Sequence, residues 1–206
     1  MITVDLHMHT TASDGRLTPT ELVKLANQKG LKTISITDHD STEGLEEALL
    51  AADSFPELTI IPGIELSTDI PGDEIHMLAY FIRYQDPLVQ KTLKHFREGR
   101  LDRAKNMVDK LCALGLEIEW ERVQSIAGDA AVGRPHIALA LLEKKYISNF
   151  NEAFDKYIGR NGPAYAERKK LTPDEAIDMV SKWGGVSVLA HPAHIENLDE
   201  TLAHLK

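Results

Sequence analysis

Ile2-Thr3-Val4-Asp5-Leu6-His7-Met8-His9-Thr10 opens the chain, and the reading of everything downstream turns on it. Ile2–Leu6 is a short β-branched and apolar run, which predicts a strand. Residues two apart on a strand share a face, so His7 and His9 can aim both imidazoles at one point. Asp14 follows in a Ser13-Asp14-Gly15 turn. Two imidazoles and a nearby carboxylate make half of a transition-metal site.

Working outward, four more β-branched runs predict strands at Thr33–Thr37, Leu58–Ile64, Ile75–Phe81 and Val186–Ala190. Helical patterns lie between them. Thr18 reads as an N-cap, with Pro19 at the first helical position and Glu21 completing a capping box; Thr172, Pro173 and Glu175 repeat that start. These helices stop at Gly30 and at Gly184-Gly185. Strand–helix alternation argues for a parallel α/β architecture. From about Asp86 to Ala164 the alternation gives way to helical patterns alone, at Leu93–Leu114, Arg134–Lys145 and Asn151–Tyr157, and another ends the chain at Asp199–Leu205. The expected organisation is a barrel built from residues 1–85 and 165–206, interrupted by a helical insertion at 86–164. A parallel barrel needs about eight strands, so five predict either an open barrel or a chain that lacks its last strands.

The polar residues cluster where such a fold places its active site, at the carboxyl ends of strands. The first strand ends in His7 and His9, the second in Thr37-Asp38-His39-Asp40, the third in Gly63-Ile64-Glu65 and the fifth in His191-Pro192. His76 stands apart, at the start of the fourth run. Each residue alone has a plain structural reading: His39 as a helix cap, Glu65 as a lysine's partner, His76 as a satisfied core histidine. It is their joint placement that argues for a site.

Composition excludes several alternatives. The chain has 206 residues, 43% hydrophobic and 27% charged, with no apolar run near the length of a membrane span. Its formal net charge of −9 disfavours an extended grip on nucleic-acid backbone but leaves room for a small anionic substrate. The single cysteine, Cys112, fits a reducing, cytoplasmic setting and reads as a buried helix residue.

Four motifs, Asp5-Leu6-His7-Met8-His9-Thr10, Thr37-Asp38-His39-Asp40, Gly63-Ile64-Glu65 and Ala190-His191-Pro192, resemble those of the PHP family, the polymerase and histidinol phosphatase phosphoesterases. Gly133-Arg134-Pro135-His136 and the segments after it resemble the stand-alone subgroup acting on nucleotides. The resemblance implies a distorted (β/α)7 barrel, similar to a TIM barrel, with two to three divalent transition metal ions; the ligand types suit Mn, Fe or Zn. It implies that His7, His9 and Glu65 hold one ion, that Glu65, His76 and His191 hold a second, and that Asp14 and His39 hold a third. The family's late Asp-x-His motif does not occur after His191, which leaves the first and third sets short of a ligand and matches the missing strands. Asp38 and Asp40 are expected to orient ligands.

The implied reaction is hydrolysis of a phosphate ester of a nucleotide or short oligonucleotide by metal-activated hydroxide, for example as a nucleoside 3′,5′-bisphosphate phosphatase or a 5′–3′ exoribonuclease. Histidinol-phosphate hydrolysis and a non-catalytic metal- or nucleotide-binding scaffold are the alternatives. The insertion is expected to roof the site. Arg134 is the first candidate for the substrate phosphate, since a guanidinium near a helix start suits an anion. His136 is a second contact or a proton donor to the leaving group. Arg103 and Lys169 are weaker substrate-binding candidates. No membrane association is expected, and a protein partner is left open.

Overall fold

In a computed structural model, which describes residues 3–70, 73–128, 130–167, 171–195 and 198–205, the first strand, β1, covers Val4–Met8. Of the expected run Ile2–Leu6, Ile2 lies outside the described residues and Thr3 precedes the strand, which continues past Leu6 through His7. Backbone pairing carries it on: Val4 and Asp5 lie beside Thr33 and Ile34, and after an irregularity Met8 lies beside Ile36. Helix α1 (Pro19–Gln28) begins with the expected capping box, the Thr18 side chain accepting from the Glu21 amide and the Glu21 carboxylate from the Thr18 amide. Then come β2 (Thr33–Ile36), helix α2 (Leu45–Ala52), β3 (Thr59–Ile70) and β4 (Asp73–Tyr80). Val23 and Ala26 of α1, Leu45 and Ala48 of α2, and Ile34, Ile36 and Ile60 of β2 and β3 form a buried cluster that fastens both helices to one face of the sheet.

The sheet is mixed, which corrects the all-parallel expectation. Its order is β1-β2-β3-β4-β5, where β5 is Val186–Leu189. β1, β2 and β3 are parallel, and β4 is antiparallel to both β3 and β5. The reason is connection length: a parallel return needs a crossover of a dozen or more residues, and only two separate Ile70 from Asp73. β3 also continues past Glu65 to Ile70, because β4 pairs with it from Gly63↔Tyr80 to Ile70↔Asp73. The sheet curls, so that the Tyr80 hydroxyl on β4 donates to the Leu6 carbonyl on β1 at 2.9 Å. Leu6, Ile61, Leu78, Tyr80 and Ala190 pack together inside the curl. At the two ends of the strand order, Val4, Val186 and Val188 are exposed.

The chain divides into two compact units, Met1–Leu93 with Lys170–Lys206, and Lys94–Lys169. Helix α3 (Pro87–Ala113) begins in the first and continues into the second. The second unit is helical, containing α4 (Trp120–Ala127), α5 (Arg134–Glu143), the short α6 (Phe150–Ala153) and a wide π-helical turn at Phe154–Ile158. Its own core includes Met107, Leu111, Val123, Ile137, Leu141 and Ile158. Cys112 is exposed, against expectation. The buried stripe of α3 is Ala104, Met107, Val108 and Leu111, and Cys112 lies one step round the helix from it. In the first unit, α7 (Pro173–Lys182) starts with the expected Thr172 capping box, β5 follows, and α8 covers Leu198–His204. Among the described residues no helix is long and apolar enough to cross a membrane.

Candidate metal centre

His7, His9, Asp14, His39, Glu65, His76 and His191 line one cavity of about 300 Å³ in the first unit. The strand directions explain their meeting. β1, β2, β3 and β5 run the same way, so the residues after their parallel portions emerge at one end of the sheet. β4 runs the opposite way, so its amino-terminal half, which carries His76, lies at that same end. His76 is paired with Ser67 of β3, and its carbonyl accepts from the Ala190 amide at 2.9 Å, beside His191. Glu65 lies within β3, not at its end, but it marks where β2 gives out: its backbone bridges to His39, just past the parallel pairing that closes at Ile36↔Pro62.

Glu65 is the hub, with 1% of its side chain exposed. Its Oε2 lies 3.0 Å from His7 Nε2, 2.9 Å from His9 Nε2 and 3.3 Å from His39 Nδ1. Its Oε1 lies 2.9 Å from His76 Nδ1 and 3.1 Å from His191 Nε2. Asp14 extends the cluster on the Oε2 side, with Oδ1 2.9 Å from His9 Nδ1 and Oδ2 3.8 Å from His39 Nε2. Three trios, His7–His9–Glu65, His9–Asp14–His39 and His39–Glu65–His76, hold donor atoms within 4.8 Å of one another, close enough to share an ion.

The electrostatics are those of a crowded ionic cluster. Burial alone would raise the Glu65 carboxyl pKa; hydrogen bonds from His7, His76 and His9 and the charge of His39 hold it far below the usual range. Burial would lower the pKa of His9, but its bonds to Asp14 and Glu65 carry it up to about 10. His76 is likewise raised against its burial, by Glu65 and Glu74. His191 is lowered by burial and by the neighbouring His76, with Glu65 opposing. A carboxylate offers about four lone-pair positions, and here five imidazole nitrogens converge on one. Imidazole lone pairs and carboxylate oxygens repel unless protons or cations lie between them. This donor set, oxygen and nitrogen without thiolate, therefore fits divalent metal.

The loops are built to hold these groups. Asp38 is buried and accepts from the Thr10 amide at 2.7 Å, the Thr10 hydroxyl at 2.7 Å and the Ser13 hydroxyl at 2.6 Å. It thereby pins the turn between His9 and Asp14. Gly15 closes that turn; a Cβ there would meet the His9 carbonyl oxygen at 2.3 Å. Asp40 accepts from the Ser67 amide at 3.1 Å while its own amide donates to the Glu65 carbonyl at 3.0 Å, which fixes β3 on either side of the hub. His191 has φ 30° and ψ 58°, a left-handed conformation for a residue preceding proline. Such a backbone costs on the order of 1–3 kcal/mol and is typical of residues aimed by function.

The other expected residues belong to the helical unit. Arg134 opens α5, with its guanidinium 5.8 Å from the centre of the Phe154 ring. His136 is buried, and its Nδ1 accepts from the Gly133 amide at 3.0 Å, capping its own helix. Arg103 is buried as well; its Nε donates to the Ala166 carbonyl at 2.8 Å and its guanidinium sits 5.1 Å from the Tyr165 ring centre. Lys169 lies outside the described residues. Sequence reasoning missed Thr10 as a partner of Asp38, and missed Glu74, whose Oε1 lies 3.8 Å from His76 Nε2. The signal for Glu74 was available: it stands two residues before His76, on the same face of a strand.

Comparison with known proteins matches residues 5–169 to the PHP domain. The chain belongs to that family. It is 38% identical over 189 residues to the 5′-3′ exoribonuclease Rnm of Escherichia coli K12, covering 91% of this chain and 64% of that protein. It is 30% identical over 197 residues to the 3′,5′-nucleoside bisphosphate phosphatase of Chromobacterium violaceum, covering 95% of this chain and 69% of that protein. The crystal structure of a candidate metal-dependent phosphoesterase from Bifidobacterium adolescentis superposes with a TM-score of 0.88 at 31% identity, over 98% of this chain and 73% of that one. The mixed α/β fold is thus a PHP phosphoesterase fold.

Proposed function

We propose that this chain carries the centre of a metal-dependent phosphoesterase that hydrolyses a phosphate ester of a nucleotide or short oligonucleotide. The observation that carries the reading is the division of histidines over Glu65: His7 and His9 on Oε2, His76 and His191 on Oε1. That division suits two ions bridged by one carboxylate, with Asp14 and His39 available for a third. Mn, Fe and Zn all suit these ligands, and the curled sheet suits a distorted (β/α)7 barrel. Bound divalent ions supply charge neutralisation at phosphoryl oxygens and acidify water.

The chain's own residues supply position. Glu65 and the five imidazoles fix the reacting end, and the Asp38 and Asp40 bonds keep the loops from collapsing onto it. Arg134, at the start of α5, is the residue we assign to the substrate phosphate. The Arg100 guanidinium lies near the same helix start, within 3.5 Å of where a Gly133 Cβ would stand, so the cationic character there is shared. His136, whose Nδ1 accepts from the Gly133 amide at the helix start, is the residue we assign as a second phosphate contact or proton donor to the leaving group. Arg103 and Lys169 are further candidates for substrate contact, and the helical unit is the proposed roof. The names of the Escherichia coli and Chromobacterium violaceum relatives favour two substrate classes, RNA with a 5′ end and nucleoside 3′,5′-bisphosphates.

The test is hydrolysis of a nucleoside 3′,5′-bisphosphate, a 5′-phosphorylated oligoribonucleotide and histidinol phosphate by the purified protein, with Mn(II) and after chelation. Mn-dependent release of phosphate or nucleotide from either of the first two is expected. Turnover of histidinol phosphate alone would replace the substrate assignment. Metal uptake without turnover of any of the three would leave a scaffold.

A further inference from the structure

Glu74 and His76 are two apart on β4 and so project from the same face of the strand. His76 Nδ1 points to Glu65 Oε1 at 2.9 Å, while its other nitrogen, Nε2, faces Glu74 Oε1 at 3.8 Å. The imidazole is therefore bracketed by one carboxylate at the cavity and a second behind it. Both side chains are largely shielded, His76 with 15% and Glu74 with 10% exposed. Glu74 does not line the cavity, so it does not compete for an ion there.

On the neighbouring strand, Ser67 pairs in register with His76 and the buried Asp69 with Glu74, so the pairing with β3 sets the direction of both side chains. The terminal torsion of histidine is broad and roughly two-fold. A half turn of the His76 ring would exchange its cavity-facing nitrogen for a carbon and abolish it as a ligand. Placing the N–H on Nε2, toward an acceptor, leaves the Nδ1 lone pair facing the cavity and makes the ring a better donor.

We propose that Glu74 is a positioning residue for His76, holding the ring with Nε2–H toward its carboxylate and Nδ1 toward the ion that His76 would share with Glu65 and His191. This rests on the metal-centre reading above. Loss of such an outer carboxylate costs about 10–100-fold in metal affinity.

The experiment compares the wild-type chain, Glu74→Gln and Glu74→Ala, each stripped with chelator and titrated with Co(II), following ion stoichiometry, affinity and the visible ligand-field spectrum. Thermal unfolding of the metal-free proteins runs alongside. The expected result is wild-type uptake of more than one ion, with Glu74→Ala weakening one class of ion about 10–100-fold and altering its spectrum. Glu74→Gln, whose amide oxygen still accepts from Nε2–H, should recover most of that loss, and metal-free melting should stay near wild type. Wild-type affinity in Glu74→Ala would overturn the proposal. So would an affinity loss that tracks lower metal-free stability and is not rescued by glutamine. Failure of the wild type to take up Co(II) would remove the metal-centre reading itself, and this inference with it.

Discussion

His76 Nδ1 stands 2.9 Å from Glu65 Oε1, although the two residues sit on strands that run in opposite directions. The antiparallel return of β4 is what brings a histidine from the beginning of a strand to the end of the sheet where the other ligand candidates emerge. Residues that look misplaced along the chain are therefore neighbours in the fold.

Arg134→Ala should raise KM for nucleotide substrates and leave metal content unchanged. A lost charge-assisted contact is worth roughly 1.5–3 kcal/mol, about one to two decades in kcat/KM. Steady-state kinetics with elemental analysis of the same sample checks it. Wild-type kinetics would place the phosphate clamp elsewhere.

Asp38→Ala should destabilise the protein and loosen Asp14 at the same time. It strands the Thr10 amide and the hydroxyls of Thr10 and Ser13, all of which now donate to Asp38. A buried donor left without its charged acceptor costs roughly 1–3 kcal/mol. Urea unfolding of the metal-free protein should show a lower midpoint with an unchanged slope. Asp38→Asn should be milder, because its amide oxygen keeps part of the network. Equal stability of Asp38→Ala and wild type would mean that the turn is held by other contacts.

Much of this was legible in the chain, and the exceptions have physical causes. Thr18 and Thr172 could be read as caps because capping is local chemistry: a hydroxyl, a proline and a glutamate within four positions. The strand ends were legible because β-branched runs stop where polar ligand types begin. The direction of β4 was not, since strand composition carries no polarity; only the two-residue connection from Ile70 to Asp73 reveals it. The length of β3 was hidden by Ser67, Thr68 and Asp69, polar residues that are nonetheless buried in the pairing with β4. Helices α2 and α4 are eight residues each, too short for a strong periodic signal. Asp38 looked like a group beside the ligands, whereas its bonds go to Thr10 and Ser13, contacts 25 or more positions away that no local pattern encodes.

Gly63→Ala should be destabilising out of proportion to its size. A Cβ at Gly63 would lie 2.3 Å from Ser35 Oγ and 2.8 Å from Thr37 Cγ2, where β2 and β3 approach. Overpacking of this kind costs typically about 1–3 kcal/mol. Because Glu65 is two residues on, metal affinity should fall together with the melting temperature. Unchanged stability would show that β2 can yield, and that the close approach is not a constraint.

Glu65→Gln set against His39→Asn, measured as ions bound per chain, tests the account most directly. Glu65 meets five histidines through its two oxygens, whereas His39 lies 3.3 Å from Glu65 Oε2 and 3.8 Å from Asp14 Oδ2, at the side of the cluster away from Oε1. Elemental analysis after reconstitution with Mn(II) should show Glu65→Gln losing most of the bound metal and nearly all hydrolysis. His39→Asn should lose at most one ion and retain measurable turnover. Full metal content in Glu65→Gln, or equal small losses in both variants, would contradict a centre organised on Glu65.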